Sequence, residues 1–397
     1  MRLAGRRVVL GVSGGIASYK ACVLARRLAE AGALVDVVLT QGGAQFVGPV
    51  TFEGLTGRPV LTSLWDPGHA LAHLRLGQDA ELIVIAPATA NLIARAAQGM
   101  ADDLLTAILL ARTVPVLVAP AMNDRMHAHP ATQQNLATLR QRGWTIVGPA
   151  VGQLAEGPSE LPGRMSEPEE ILAYVERLLR GPQSRLCGKR VVVTAGPTRE
   201  ALDPVRVITN RSSGRMGYAL AEAAFARGAE VLLISGPTTL ASPPGIEIQR
   251  VESTEQLQQA VARALERADI LIMAAAPADF RPATPTREKR DRATGTTSLA
   301  LEPTPDILET TKRLRPKGAV LVGFAFETGE KLDRARNKLT AKALDLLVVN
   351  RADEPEAGAE VETNRVTLLS ANGERELPLM SKRDVAEQVC EAVEALS

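Results

Sequence analysis

Several turns in this sequence put backbone donors where an anion can be held. The first, GVSGGIASYK (11–20), sets glycines and a serine between an apolar run and a helical one. Amides at a helix N-terminus attract phosphate, and glycine lets the chain approach it closely. The spacing is neither Walker A nor G-x-G-x-x-G, and it serves an ordinary tight βα turn equally well. Ser13, Gly14 and Thr40 fall at the ends of neighbouring strand-like runs, so the two hydroxyls can meet the same anion. APATANL (86–92), with Ala88, Thr89 and Asn91, makes a second such turn, which alone is an ordinary capped helix. PAMNDRM (120–126) places Asn123, both donor and acceptor, between Met122 and Met126. Paired methionines usually fill cores, but this turn falls on the edge of the sheet where ligands bind.

The second half opens with TAGPTREALDPVRVITNRSSGRMG (194–217), more polar, glycine-bearing loop than a sheet connection needs. Its Arg206, Asn210, Ser212 and Gly214 suit an anion, and a long surface loop is the alternative. AAAPADF (274–280) ends a buried strand with Asp279, a ligand for a ribose hydroxyl or Mg2+. The run REKRDR (287–292) follows; such runs are usually solvated, but here it can fold over phosphates. Nine of the 46 basic residues are lysines, and Lys338 and Lys342 share one helix face. In so arginine-rich a chain, they and Lys289 read as point charges for a triphosphate. Of the four histidines, His69 reads as a loop residue, and His127 and His129 lack the cysteine neighbours of a metal site.

The elements that must position these residues alternate. Runs 6–12, 34–40, 81–87, 114–120 and 144–149 are short, apolar and β-branched, as buried parallel strands are. Helical spacing fills 17–31, 89–97, 103–111 and 130–142, with Pro130 and Gly143 bounding the last. Residues 152–168 read as a loop or flap, 168–179 as a closing helix and 181–188 as a linker. The pattern restarts with strands at 189–196, 229–237, 269–279, 319–327 and 344–350 and a hairpin turning at Asn372-Gly373. Helices are predicted at 217–227, 254–267, 305–314 and 331–342. Two doubly wound α/β domains result, 1–180 and 189–397, with ligands at the carboxyl ends of their strands.

Composition narrows the partners. Aromatics are only 3% against 45% hydrophobic residues, so the cores are built from Ala, Leu and Val. A formal net charge of +1 argues against a nucleic-acid surface or a membrane patch. Cys22, Cys187 and Cys390 form no C-x-x-C pair, so neither a disulfide framework nor a zinc cluster is indicated. No apolar run suits a signal peptide or a membrane span, and the chain reads as cytoplasmic.

The first half resembles the flavoprotein decarboxylases that act on phosphopantothenoylcysteine. The resemblance rests on GVSGGIASYK, the histidine of HLRLGQDAELIVIAPATAN, PAMNDRM and the GRM that ends the flap. It implies an FMN-binding domain in which the substrate's cysteinyl thiol is oxidised to a thioaldehyde, CO2 leaves and the electrons return. It also implies that Ser13, Gly14, Thr40, Ala88, Thr89 and Asn91 hold FMN, and that His73 is the active-site base or orienting group. Asn123 would grip the substrate carboxylate, with Met122, Met126 and Arg164 beside the substrate. The family's flap carries a cysteine as proton donor; here Glu156 stands there, and either it substitutes as the donor or the flap only closes over the substrate while the proton comes from elsewhere.

The second half resembles phosphopantothenate–cysteine ligase, the partner fused behind that decarboxylase in bacteria. TAGPTRE, DPVRVITNRSSGRMG, AAAPADFRP, PDIL, GFAFET and the Lys338/Lys342 helix carry the match. It implies a Rossmann-like domain that uses CTP, with Mg2+, to activate 4′-phosphopantothenate as an acyl-cytidylate for attack by cysteine. Ala275, Asp279, Lys289, Thr304, Pro305, Asp306, Ile307, Phe324, Lys338 and Lys342 would contact CTP. Asn210 would orient the acyl intermediate and Arg206 would assist substrate binding. Three departures stand out: AAPAD for AAVAD, Thr304 for an asparagine, and Lys289-Arg290-Asp291-Arg292 for KIKK. Flavoproteins resembling the first domain form trimers and the ligase pairs as a dimer, so the resemblance implies a homo-oligomer, up to a dodecamer. One rival reading is a ligase with a non-catalytic flavoprotein domain. Another, a nicotinamide-dependent reductase, lacks its G-x-G-x-x-G.

Overall fold

A computed structural model describes residues 2–65, 71–289, 298–327, 332–351, 358 and 360–397. His69, Arg290, Asp291, Arg292, Thr328 and Lys331, all singled out above or within predicted elements, lie outside the described residues. The chain divides into two compact units, 1–179 and 180–397.

The first unit is a five-stranded parallel sheet of β1 (Arg7–Val12), β2 (Leu34–Leu39), β3 (Leu82–Ala88), β4 (Val116–Pro120) and β5 (Thr145–Ile146), in the order β2-β1-β3-β4-β5. Alternation along the strands assigns each side chain to one of two cores. Val8, Leu10, Val35, Val37, Leu82 and Val84 pack with Leu24 and Leu28 of helix Ser18–Glu30 and Ile171 and Val175 of helix Pro168–Arg180. Val9, Val38, Ile83, Ile85 and Val118 pack on the other face with Leu92, Ile93, Leu105 and Leu136, from helices Ala90–Gln98, Leu104–Ala111 and Pro130–Gln141. Helices on both faces make the sheet doubly wound, and the neighbours β1 and β3 run outward from its switch point.

The segment predicted as a loop is instead a hairpin, β6 (Ala150–Leu154) against β7 (Gly157–Arg164). Its strands, AVGQL and GPSELPGR, are rich in glycine and proline and bury only Gly163, so they lack the apolar alternation that marks a strand. Helices Pro49–Thr56 and Ala72–Asp79 were missed as well. Each is eight residues, and neither has a side-chain cap hydrogen bond.

The second unit holds an eight-stranded sheet: β8 (Arg190–Ala195), β9 (Glu230–Ser235), β10 (Glu247–Arg250), β11 (Ile270–Met273), β12 (Val320–Glu327), β13 (Leu346–Arg351), β14 (Val366–Ser370) and β15 (Gly373–Glu376). Its order is β10-β9-β8-β11-β12-β13-β14-β15, parallel through β13 and antiparallel after it. The polar edge strand β10 gave no sequence signal. The predicted strand 269–279 stops at Met273, because the next amides bond sideways rather than along the ladder. Ala275 N donates to Thr194 Oγ1 at 3.1 Å, Ala276 N to Gly196 O at 2.9 Å and Ala278 N to Thr198 Oγ1 at 2.9 Å. Pro277 has no amide to offer.

Residues 180–188 belong to this second unit: Leu186 is buried, and Gly181 packs on Gly228. The C-terminal helix Lys382–Leu396, also missed, lays Val385, Val389 and Val393 inward. From it Glu387 accepts hydrogen bonds from Arg180 at 2.6 Å and Arg227 at 2.6 Å. Burial works to raise the Glu387 carboxyl, but the two arginines outweigh it and hold it below the usual carboxylate range. Such a group stabilises the fold above its unfolded pKa and loses that contribution as pH falls through its lower folded value. Melting curves of the intact chain should therefore show the second unit weakening below about pH 4. The Glu387→Gln variant should start less stable at pH 7 and decline less steeply; an unchanged acid slope would remove Glu387 from this role.

Candidate active sites

In the first unit the carboxyl ends of β1 to β4 open into one cavity of about 1190 Å³. Ser13, Gly14, Thr40, Thr89, Asn91, Met122, Asn123, Met126, Glu156 and Arg164 all line it. The turn after β1 is joined to that after β3 through Ser13, whose hydroxyl donates to Pro87 O at 2.8 Å and accepts from Thr89 N at 3.0 Å. Thr89 then caps helix Ala90–Gln98 by accepting from Leu92 N. Thr40 accepts from Gly43 N at 3.0 Å, capping the short helix Gln41–Ala44, and its hydroxyl donates to Val12 O at 3.4 Å, which ties the turn after β2 to the first. A Cβ on Gly14 would come within 2.7 Å of the Gly42 carbonyl carbon, so only glycine lets these turns meet. No hydrogen bond among the described residues uses the amides of Gly14 and Gly15, which leaves donors facing the cavity before a 13-residue helix. Those open amides, the paired hydroxyls and the cavity size fit a phosphorylated flavin.

The hairpin tip closes onto the end of β4. Asn123 Nδ2 donates to Glu156 Oε2 at 2.8 Å, while Asn123 Oδ1 caps the next helix through Arg125 N. At the hairpin base Met122 N donates to Gly163 O at 3.0 Å, and Ser159 donates to Asp124 at 2.5 Å. Arg164 pairs with Glu167, which also takes Lys20 at 3.0 Å. Glu156 is exposed, so the described unit does not itself supply the burial that an acid role requires. Two predicted residues lie off the cavity wall. Ala88 is fully buried and contributes its backbone, accepting from Ala121 N at 3.0 Å. His73, on helix Ala72–Asp79, does not line the cavity; its Nδ1 is buried with no partner among the described residues.

In the second unit a cavity of about 710 Å³ lies over the ends of β11, β12 and β13, beside the start of helix Arg215–Ala226. Asn210, Ala275, Asp279, Thr304, Pro305, Asp306, Ile307, Phe324, Lys338 and Lys342 line it together. A buried network fixes the 275–279 turn. Glu200 Oε1 accepts from Thr254 N and Oγ1, each at 2.8 Å, and Thr254 Oγ1 meets Thr198 Oγ1 at 2.8 Å. Thr304 ties its own turn to the same loop, donating from Oγ1 to Ala278 O at 2.6 Å and from N to Asp279 O at 2.9 Å. Asn210 Nδ2 donates to Pro277 O at 2.8 Å. Lys342 pairs with Asp306 at 2.8 Å; burial works to raise that carboxyl, but Lys342 and backbone amides prevail and hold it low. Arg206 instead turns to Asp203 at 3.0 Å, and neither it nor Lys289 lines the cavity.

The whole sequence finds its counterparts in these two units. Residues 2–180 match the family described as Flavoprotein, and residues 186–396 match the DNA/pantothenate metabolism flavoprotein C-terminal domain. The coenzyme A biosynthesis bifunctional protein CoaBC of Bacillus subtilis is 46% identical over 400 residues, covering 100% of this chain and 98% of its own. That of Mycolicibacterium smegmatis is 47% identical over 407 residues, with 99% and 98% covered. The chain belongs to the CoaBC family. Among solved structures, the C-terminal domain of a CoaBC protein is 39% identical, with a TM-score of 0.45, covering 53% of this chain and 96% of that one.

Sequence reasoning missed several residues of this CoaBC chain that line its cavities. Lys20 ends the first motif, and its side chain is 7% exposed. Asn350, Asn364, Arg215 and Lys382 line the second cavity. Ser381 caps the last helix through Asp384 N at 3.1 Å, a Ser-x-x-Asp signal that would have placed Lys382 at a helix start. Burial and the nearby Arg215 pull the Lys382 ammonium down to about 8, against the opposing charge of Glu362. Between about pH 8 and 10 the unfolded chain then holds the extra proton, so this group's contribution to stability rises with pH. In NMR of reductively methylated protein, Arg215→Gln should move the Lys382 titration upward and Glu362→Gln downward. No movement in either would leave burial as the sole cause.

Proposed function

We propose that the two cavities divide the work of this bifunctional enzyme of coenzyme A biosynthesis. The second unit joins cysteine to 4′-phosphopantothenate at the expense of CTP, and the first decarboxylates the product to 4′-phosphopantetheine. One observation carries this reading: each unit opens a cavity at the carboxyl edge of its parallel strands, and nearly every residue expected at each site lines it. In the ligase, Asp279 and the Thr304–Ile307 turn would hold the nucleotide, with Lys338 and Lys342 meeting its phosphates. The phosphopantothenate carboxylate attacks the α-phosphorus and pyrophosphate leaves. Cysteine's amine then forms the amide, CMP departs from the acyl carbon, and the amine gives up a proton. Asn210 would orient the acyl group. Mg2+ would arrive on the triphosphate and keep several of its own waters.

In the decarboxylase, Ser13, Gly14, Thr40, Thr89 and Asn91 would hold the FMN phosphate and ribityl chain. FMN, when bound, supplies two-electron oxidation and reduction. Asn123 would hold the substrate carboxylate with the amide that Glu156 now occupies, so binding would part the two and free Glu156 as proton donor. No helix among the described residues is long and apolar enough to cross a membrane; a cytoplasmic homo-oligomer, up to a dodecamer, completes the reading.

Protein supplied with 4′-phosphopantothenate, cysteine, CTP and Mg2+ should release pyrophosphate and then CO2, followed separately. Pyrophosphate without CO2 from flavin-loaded protein would instead assign the first unit to assembly or regulation, the reading that the absent flap cysteine favours. Gly14→Ala, whose Cβ meets Gly42, should purify with little visible flavin absorbance yet keep its pyrophosphate release. Glu156→Gln should lower CO2 release by about a hundredfold to ten-thousandfold, and unchanged turnover would exclude it as the acid.

A further inference from the structure

The second cavity has a corner to which no part of the nucleotide has been assigned. The pairing of Thr363–Asn364 with Met380–Ser381 draws Asn364 beside the start of the last helix. Lys382 N donates to Glu362 O at 2.9 Å, which fixes that register. Asn364 and Lys382 both line the cavity, and they are only 0% and 5% exposed. Asn364 Nδ2 donates to Asn350 Oδ1 at 3.2 Å, but Asn364 Oδ1 is buried without any donor among the described residues. Arg215 stands at the rim, paired with Glu362 at 2.8 Å. The corner therefore offers a buried cation next to an acceptor that nothing in the described chain satisfies.

A ligand entering it meets positive charge at Lys382 and a bare carbonyl oxygen at Asn364, so one that carries both a negative group and an N–H donor suits the corner. A phosphate monoester offers only acceptors, so the bare carbonyl oxygen would oppose it. An α-amino acid offers both groups, two bonds apart. Resting on the ligase reading above, we infer that the Lys382–Asn364 corner is the subsite for the incoming amino acid, cysteine. Lys382 holds its carboxylate, and Asn364 Oδ1 accepts a hydrogen bond from its amine and so orients the nitrogen toward the acyl carbon.

Wild-type enzyme tests this directly with cysteamine, which keeps the amine and thiol but lacks the carboxylate. Its KM should exceed that of cysteine by about tenfold or more, and equal values would overturn the inference. In Lys382→Met that ratio should fall toward one through a rise in the cysteine KM, with Lys382→Arg restoring part of it. CTP–pyrophosphate exchange without cysteine should persist in Lys382→Met and in Asn364→Leu. A raised KM for 4′-phosphopantothenate with the cysteine KM unmoved would hand the corner to the acyl substrate and overturn the proposal. Loss of exchange in a folded variant would do the same in favour of the nucleotide. Failure of the wild-type enzyme to exchange pyrophosphate at all would sink the ligase reading instead, which keeps the two failures apart.

Discussion

A parallel sheet leaves its last amides and carbonyls without ladder partners at the carboxyl edge, and both units are built around how that edge is finished. In the first unit Ser13, Gly14 and Thr89 knit neighbouring turns together through one hydroxyl and leave glycine amides facing outward. Strand ends tied to one another in this way keep their donors pointed before any anion arrives. The ordering cost is met in folding rather than in binding, which is the physical content of preorganisation.

The second unit reaches the same end by different means. Thr198, Glu200 and Thr254 sit behind the 275–279 turn, buried, and between them satisfy both a helix start and the turn's Ala278 amide. Gly214 adopts φ 77° just before helix Arg215–Ala226. Gly217 lies so close to β8 that a Cβ there would come within 2.7 Å of Thr194 O. The polar loop that looked excessive in the sequence is thus consumed in bracing one short turn.

What the sequence made legible follows from period and punctuation. Strands such as Leu82–Ala88 are apolar throughout because helices cover both faces, and glycines and prolines marked where they stopped. The cavity-lining turns were legible for the same reason, each following such a strand directly. Strand Glu247–Arg250 and the 150–164 hairpin escaped because exposed pairing needs no apolar alternation. His73 and Arg206 carried expected roles that the described cavities do not express, since a residue type in a motif says nothing about where its side chain turns. Asn364 and Lys382 escaped for the opposite reason. They are brought together by a two-residue bridge between segments whose local patterns say nothing about each other.

The grip of Arg180 and Arg227 on Glu387 reaches beyond the acid range. Arg180 is the first residue of the second unit, and Glu387 lies ten positions from the end of the chain, so one carboxylate staples the two extremities of that unit together. Any excised ligase fragment beginning at Lys189, where the first strand of the sheet starts, would discard one jaw of that staple along with the Gly181–Gly228 contact. The natural scissor line between the two enzymes accordingly falls before Arg180 rather than within the short stretch that follows it.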